Sequence, residues 1–464
     1  MLKINRRHRV SILVGFVLLT FIFLFIAKYF LIPGKPNILL VTFDALRYDH
    51  LGCYGYGRNT SPNIDLVAKN GVTFLNAISQ SSYTAPSMAS ILTSTYPIKH
   101  GVYGFGDKIK NPNDTLSYLL KKQGYRTAFF SSHVGIATIN GFDSDFDTFY
   151  TTWTFKEDEK NRSFKAIEIN SRIIKWLKEN SGRKFFAWIH YLEPHYPMSP
   201  PLSYQGTFSN DSAGRLPVEV PISTDSVFGF KGLPKRLVVA NNYITDLNYY
   251  IDLYDSTVRY ADDCLGEIIG VLKAMGLDKK TLIIITADHG ESLGEHNQYF
   301  SHGCNLYDEL IKVPLILSFP KTLPLGKIVS WQAQLVDIVP TVLEVLRTKK
   351  TGLDGNSLIS LSKEFKAPTL ERYAFSVYNA KVAIRSNDMK LIYTIGSDQY
   401  ELYNLSIDPL ELDNLGTIKI KQFEQLENKL KAYFNYLGRE YKEKNKVFIS
   451  KEAEDKLKSL GYAN

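Results

Sequence analysis

Two uninterrupted apolar runs, each ending in an acid, stand out from the alternation of polar and apolar positions along the chain. Asn37-Ile38-Leu39-Leu40-Val41-Thr42-Phe43 leads into Asp44, and Thr281-Leu282-Ile283-Ile284-Ile285-Thr286-Ala287 leads into Asp288 and His289. Runs of this length without a charge read as strands buried on both faces, as central parallel strands are. Arg126 to Ser131, Phe185 to Tyr191 and Val313 to Phe319 are further strand candidates. Between them the period lengthens. Ser61-Pro62 opens a short helix that Gly71 closes, and Asp114 caps another that ends at Gly124. Phe164 to Glu179 carries an apolar stripe of Ile167, Ile169, Ile173, Ile174 and Leu177 at helical spacing. Tyr243 to Met275 and Leu335 to Leu346 read as helices too. Strands alternating with helices predict an α/β fold, with a mostly parallel sheet flanked by helices.

From about Arg372 the pattern changes to short alternating segments such as Lys390-Leu391-Ile392-Tyr393 and Tyr400-Glu401-Leu402-Tyr403. These predict a small antiparallel sheet, with Ile420 to Tyr441 as a packing helix. The expected division is a catalytic domain over 36–370 and a C-terminal subdomain over 371–464. Pro194 to Pro234 is rich in Pro, Ser and Gly and lacks periodicity, so it reads as a surface excursion serving as a lid or substrate loop.

The amino terminus has a different character. Ser11 to Ala27 carries no charge, and after Lys28 the apolar run continues to Ile32. As a helix, 11–32 would be about 33 Å long, enough to cross a bilayer. It exceeds the apolar core of a cleaved signal, and no A-x-A site follows. Lys3, Arg6, Arg7 and Arg9 lie ahead of it. The expectation is therefore a basic cytoplasmic tail (1–10), a single retained anchor (11–32), and the rest of the chain outside the cytoplasm.

Composition narrows the function classes. Those four basic residues supply half of the net charge of +8 on 464 residues, and no basic run remains to suggest a nucleic-acid partner. Three cysteines, Cys53, Cys264 and Cys304, are too few and too scattered for a zinc finger or a disulfide scaffold.

The candidate chemistry gathers around Ser82-Tyr83-Thr84-Ala85-Pro86-Ser87. Pro86 suits the first turn of a helix, which places Thr84 at or just before the N-cap, near the positive end of the helix dipole. Taken alone, Thr84 is a helix cap. Together with Asp44, Asp288 and His289 at the carboxyl ends of buried strands, it completes a plausible ligand set for one divalent metal ion. Such a cation would lower the hydroxyl pKa of Thr84 and turn it into a nucleophile. His195, in Glu193-Pro194-His195-Tyr196-Pro197, and His302, in Ser301-His302-Gly303, are candidates to contact a tetrahedral anion or protonate a leaving group. Each could equally be a surface histidine. His100, His133, His190 and His296 have weaker claims.

These segments, in this order, resemble the sulfatase family within the alkaline phosphatase superfamily. The resemblance covers the Asn37–Asp44 strand, Leu51-Gly52-Cys53-Tyr54-Gly55, the Thr84–Pro97 stretch, His195-Tyr196-Pro197, Thr286-Ala287-Asp288-His289-Gly290, and Leu402-Tyr403-Asn404-Leu405 with Asp408-Pro409. It implies an alkaline-phosphatase-like fold and a metal-dependent enzyme acting on sulfate or phosphate esters. Three departures matter. Family sulfatases make formylglycine from Cys or Ser, which Thr84 cannot become, and Met88 stands where that motif has Arg. Ala45 replaces the second of a pair of acids. The segment in which the family carries a lysine reads Ser131-Ser132-His133. A threonine nucleophile with Asp, Asp and His around one metal is similar to membrane-anchored phosphoglycerol and phosphoethanolamine transferases. The expectation is a hydrolase or transferase working through a Thr84 ester, with phosphoester favoured and a lipid-linked or cell-envelope substrate. The metal is manganese, magnesium, calcium or zinc. A sulfatase without formylglycine, a metal-binding pseudoenzyme and a two-zinc phosphodiesterase are the alternatives.

Overall fold

The computed structural model describes residues 35–437, apart from Val134, 152–164, Pro197, 210–215, 225–228, Lys321, 364–370, Asp398 and 417–420. The tail, the anchor and residues 438–464 lie outside the described residues, so the expected membrane span is one of the features not described. Among the described residues no helix is long and apolar enough to cross a membrane.

The chain from Asn37 onward is built on a nine-stranded sheet. Its strands are β1 (Asn37–Phe43), β2 (Val72–Ile78), β3 (Arg126–Ser131), β4 (Thr148–Thr151), β5 (Phe185–Tyr191), β6 (Thr281–Ala287), β9 (Lys312–Ser318), β10 (Lys327–Val329) and β11 (Ala333–Gln334). A separate ribbon pairs β7 (Ser292–Leu293) with β8 (Tyr299–Ser301). The order across the sheet is β10-β2-β9-β6-β1-β5-β3-β4, with β11 also on β2. All pairings are parallel except those of β9, which runs against both β2 and β6. The mostly parallel sheet expected from the sequence is therefore present, with one reversed strand inside it.

Burial explains the apolar runs. Every residue of β1, β5 and β6 is buried, because helices cover both faces of a parallel sheet. Each Leu or Ile sealed there contributes about 1.5–3 kcal/mol relative to an exposed position. The Lys165–Asn180 helix packs Ile169, Ile173 and Leu177 inward, while Ile167 stays 62% exposed and so does not belong to the expected stripe. The cap before Leu116–Lys122 is Thr115, which accepts from the Tyr118 N–H, and not Asp114, which belongs to a preceding turn. The long helix starts later than expected, at Leu247, where the Asp246 side chain caps it.

The C-terminal sheet is an antiparallel meander of β12 (Ala374–Tyr378), β13 (Lys381–Arg385), β14 (Met389–Thr394) and β15 (Gln399–Asn404). Phe423, Leu426 and Leu430 of the Lys421–Leu437 helix pack on its Val382, Ile384, Leu391 and Leu402. On β14, Lys390 is fully buried between Asp308 at 3.1 Å and Glu411 at 2.8 Å, and Arg385 of β13 also grips Asp308. This charge cluster fixes the meander to the segment that follows β8.

Candidate active site

Neighbouring parallel strands end side by side, and that register assembles the site. Thr42 pairs with His190 across β1 and β5 and with Thr286 across β1 and β6. One step past the strand ends, the Asp44 N–H donates to Tyr191 O at 2.9 Å and the Asp288 N–H to Phe43 O at 3.3 Å. The two acids are thereby held at one sheet edge, both fully buried.

Thr84 is the first residue of the Thr84–Thr93 helix, with Tyr83 as its N-cap, so Thr84 itself lies one position inside the helix. Ser79 Oγ and Ser87 Oγ both donate to the Asp288 carbonyl, at 2.5 and 2.6 Å, which pins the helix to the end of β6. The Thr84 Oγ1 atom lies 3.2 Å from His289 Nε2. His289 Nδ1 is 2.8 Å from Gly290 O, so this nitrogen carries the proton and Nε2 offers its lone pair. Gly290 is required there, since a Cβ would fall 2.0 Å from Glu309 O.

Asp44, Asp288 and His289 each bring one ligand atom within 4.8 Å of the others. His289 Nε2 is 3.5 Å from Asp44 Oδ1 and 3.5 Å from Asp288 Oδ2. Among the described residues, both Asp44 oxygens and Asp288 Oδ2 are buried without a hydrogen-bond partner, whereas Asp288 Oδ1 accepts from the N–H groups of Ala45 and His289. Buried, unpartnered carboxylate oxygens converging on an imidazole lone pair fit a divalent cation, because an uncompensated buried acid is costly. Electrostatics point the same way. Burial raises Asp44 well above the usual carboxylate range and the charge of Asp288 adds to it. Burial lowers His289, yet the carboxylates of Asp288 and Asp44 outweigh it and its pKa rises.

The other two expected residues close the site. His302 follows β8, and its ring stacks on His289 with centroids 4.3 Å apart. His302 Nδ1 lies 3.2 Å from Glu291, whose buried carboxyl is pushed up to about 8. His195 meets His302 edge to face at 4.8 Å, and its Nδ1 is bonded to Tyr196 O. Burial, with repulsion from His302 and His289 at His195 and from His289 at His302, holds both rings well below the usual histidine pKa. The Pro194–Pro234 excursion borders this corner: Tyr299 N–H donates to Gly229 O at 3.0 Å, alongside the ribbon that leads to His302.

Two buried histidines given weak claims by sequence belong to the same cluster. His133 Nε2 and His190 Nε2 each lie 3.6 Å from Asp44 Oδ2. Neither stands in a recognisable spacing, and the signal that could have found them is strand order. His190 is the last residue but one of β5, which pairs with β1, and His133 follows β3, which pairs with the other side of β5. His100 and His296 have other partners: His100 Nε2 bonds Ser90 and His296 stacks on Tyr307.

Comparisons with known proteins bear on the family and the fold. A family model described as sulfatase matches residues 36–348, and one described as the C-terminal region of N-sulphoglucosamine sulphohydrolase matches 294–440. An N-acetylglucosamine-6-O-sulfatase of Bacteroides thetaiotaomicron is 24% identical over 82% of this chain and 82% of its own length. A choline-sulfatase of Rhizobium meliloti is 24% identical over 82% of each chain. Among solved structures, a phosphonate monoester hydrolase from Silicibacter pomeroyi superimposes with a TM-score of 0.71 at 19% identity, covering 87% of this chain and 96% of that one. A protein solved with its substrate D-glucosamine-2-N,6-O-disulfate gives 0.72 at 21% identity, covering 89% of this chain and all 100% of that one.

Proposed function

The chain belongs to the sulfatase family of ester-hydrolysing enzymes, and from that premise we propose that it cleaves or transfers a phosphoester through a covalent Thr84 intermediate. The observation that carries the proposal is the Thr84 hydroxyl, buried and aimed at the His289 lone pair at 3.2 Å, beside three carboxylate oxygens with no partner.

Asp44, Asp288 and His289 would hold one divalent cation, with the Thr84 oxygen beside it. When bound, that cation supplies charge to neutralise an ester anion and to favour the alkoxide. The chain's own groups do the remaining work. With His289 Nε2 engaged, the Thr84 proton would pass to a neutral imidazole of the His195–His302 pair as the Thr84 oxygen forms its bond to the central atom of the ester and the bond to the departing oxygen breaks. His302, stacked on His289, and His195, edge to face with His302, would meet the anion or hand a proton to the departing oxygen. Glu291 holds His302 by its Nδ1, which fixes the ring's orientation.

Phosphorus is favoured over sulfur on the chemistry of the second step. A formylglycine hydrate expels its sulfate by using its own second hydroxyl. A threonine ester has no such exit and must be cleared by water or an acceptor attacking the central atom. Neutralising the non-bridging oxygens assists that attack most where they carry the most charge, which is on a phosphoryl group. A sulfuric ester hydrolase using unmodified Thr84 is the second reading, favoured by the sulfatase relatives.

The apolar run 11–32, uncharged from Ser11 to Ala27, and the basic residues ahead of it support a retained anchor with the catalytic chain outside the cytoplasm. A lipid-linked or cell-envelope ester would then meet the site at raised effective concentration. Protease added to intact cells should digest the catalytic chain. Turnover of aryl sulfate, phosphate monoester and phosphodiester, each with manganese, magnesium, calcium or zinc, tests the substrate class. Phosphoester cleavage should exceed sulfate cleavage, and the reverse ranking establishes the second reading.

A further inference from the structure

We propose that His133 and His190 form a two-sided clasp on the Oδ2 atom of Asp44, positioning that carboxylate so that only Oδ1 faces the cation, and thereby setting the metal affinity of the site. This rests on the reading of Asp44, Asp288 and His289 as cation ligands.

The sheet order places the clasp. Strands β1, β5 and β3 are consecutive and parallel, with Thr42 beside His190 and His190 beside Ser131. Their carboxyl ends therefore present Asp44, His190 and His133 together, all three fully buried. The two oxygens of Asp44 divide their neighbours. Oδ1 is 3.5 Å from His289 Nε2, and Oδ2 is 3.6 Å from the Nε2 atoms of both His133 and His190. These separations exceed a hydrogen bond by about half an ångström.

Proton positions decide between donor and ligand. The Gly135 N–H donates to His133 Nδ1 at 3.0 Å, so the neutral ring carries its proton on Nε2. Gly135 can approach this closely only without a side chain, since a Cβ would lie 2.9 Å from His133 Cε1 and 2.7 Å from the Phe105 ring. Phe105 stacks on the imidazole at 5.2 Å and holds its plane. For His190, Nδ1 lies 2.8 Å from Thr42 Oγ1, which also accepts from Trp188 Nε1 at 2.9 Å. The other acceptor within reach of the Thr42 proton, Ile189 O, is 3.4 Å away. The proton therefore goes to His190 Nδ1, and Nε2–H faces Asp44. A nitrogen that bears a proton cannot bind a cation, so both rings are donors to Asp44 and not members of a second metal site. Groups that orient a ligating carboxylate in this way govern metal affinity strongly.

The test titrates Mn²⁺ alone into the full-length chain and follows free Mn²⁺ by electron paramagnetic resonance, which gives affinity and stoichiometry without turnover. His133→Leu and His190→Leu should each weaken binding by about 10- to 100-fold, and His133→Gln and His190→Gln, which keep an N–H, by no more than about threefold. Thr42→Val, which removes the hydroxyl that sets the proton position on His190 and also accepts from Trp188 Nε1, should weaken it several-fold, and Thr42→Ser, which keeps both bonds, should bind as the wild type does. Stoichiometry should stay at one throughout. The Thr42 pair decides the matter if a histidine variant does not fold. Leu and Val variants that bind Mn²⁺ like the wild type, or a second Mn²⁺ lost with either histidine, overturn the clasp. A wild-type chain that binds no Mn²⁺, Ca²⁺, Mg²⁺ or Zn²⁺ overturns the cation reading itself.

Discussion

Oγ1 of Thr84 lies 3.2 Å from Nε2 of His289, and in the neutral ring the hydroxyl donates, because Nδ1 on the far side is committed to Gly290 O. The first residue of a helix is thus coupled to the end of the central strand β6, and the hydroxyl proton has a defined place to leave from. Ser87, one turn along the same helix, bonds the Asp288 carbonyl and keeps the two elements in register.

Thr84→Ala should leave the fold intact and lower kcat by at least about a thousandfold, since both the nucleophile and the covalent route are gone. Thr84→Ser should keep measurable turnover. Steady-state kinetics on metal-loaded protein with a matched circular dichroism spectrum checks both. Turnover of Thr84→Ala near the wild-type rate would remove the covalent intermediate.

Asp288→Asn and Asp44→Ala should abolish metal binding while the metal-free protein still folds, because each removes buried carboxylate charge that has no full hydrogen-bond complement among the described residues. A saturating cation should stabilise only the wild type, by about 2.7 kcal/mol at a hundred times Kd. Thermal melts with and without metal read this directly. Equal metal-induced shifts in variant and wild type would take that residue out of the ligand set.

Glu309 gives a pH signature away from the ligands. Burial, reinforced by the charge of Glu411, raises its carboxyl from the ordinary 4.5 to about 8 in the folded chain. The folded state therefore keeps a proton that the unfolded chain releases, and the stability present below pH 4.5 is lost as pH rises towards 8. Glu309→Gln should be spared that loss, so its stability relative to wild type should climb between pH 5 and pH 8, as estimated from the linkage. Urea unfolding at the two pH values measures the difference, and a gap independent of pH contradicts it.

Lys390→Met should destabilise the chain by about 3–5 kcal/mol, since it strands the buried carboxylate of Glu411 and leaves Asp308 to Arg385 alone. Asp308 lies six residues beyond His302, so weaker activity should accompany the loss as the meander loosens. An unfolding midpoint like that of wild type would mean the cluster contributes nothing net.

The strands that carry Asp44 and Asp288 were legible because burial on both faces leaves no polar position to interrupt the run. Strand β2 was not, since Asn76 and a bulge between Phe74 and Ala77 break its period, and β4, β10 and β11 are too short to show one. Thr84, Asp44, Asp288 and His289 could be grouped because acids ending apolar strands are rare and a proline marks the helix start. His133 and His190 look like ordinary core residues in sequence. Only the order of β1, β5 and β3 brings them to one carboxylate, and strand order is a long-range property that local pattern does not carry.

The central claim is a phosphorylated Thr84. Acid quenching within one turnover of a phosphodiester labelled with radioactive phosphorus, followed by peptide mapping, tests it most directly. The label should sit on the peptide containing Thr84, vanish in Thr84→Ala, and fail to appear when a radiosulfur-labelled sulfate ester is used instead. Radiosulfur on Thr84, or rapid phosphodiester turnover with no label retained on any peptide, would contradict it.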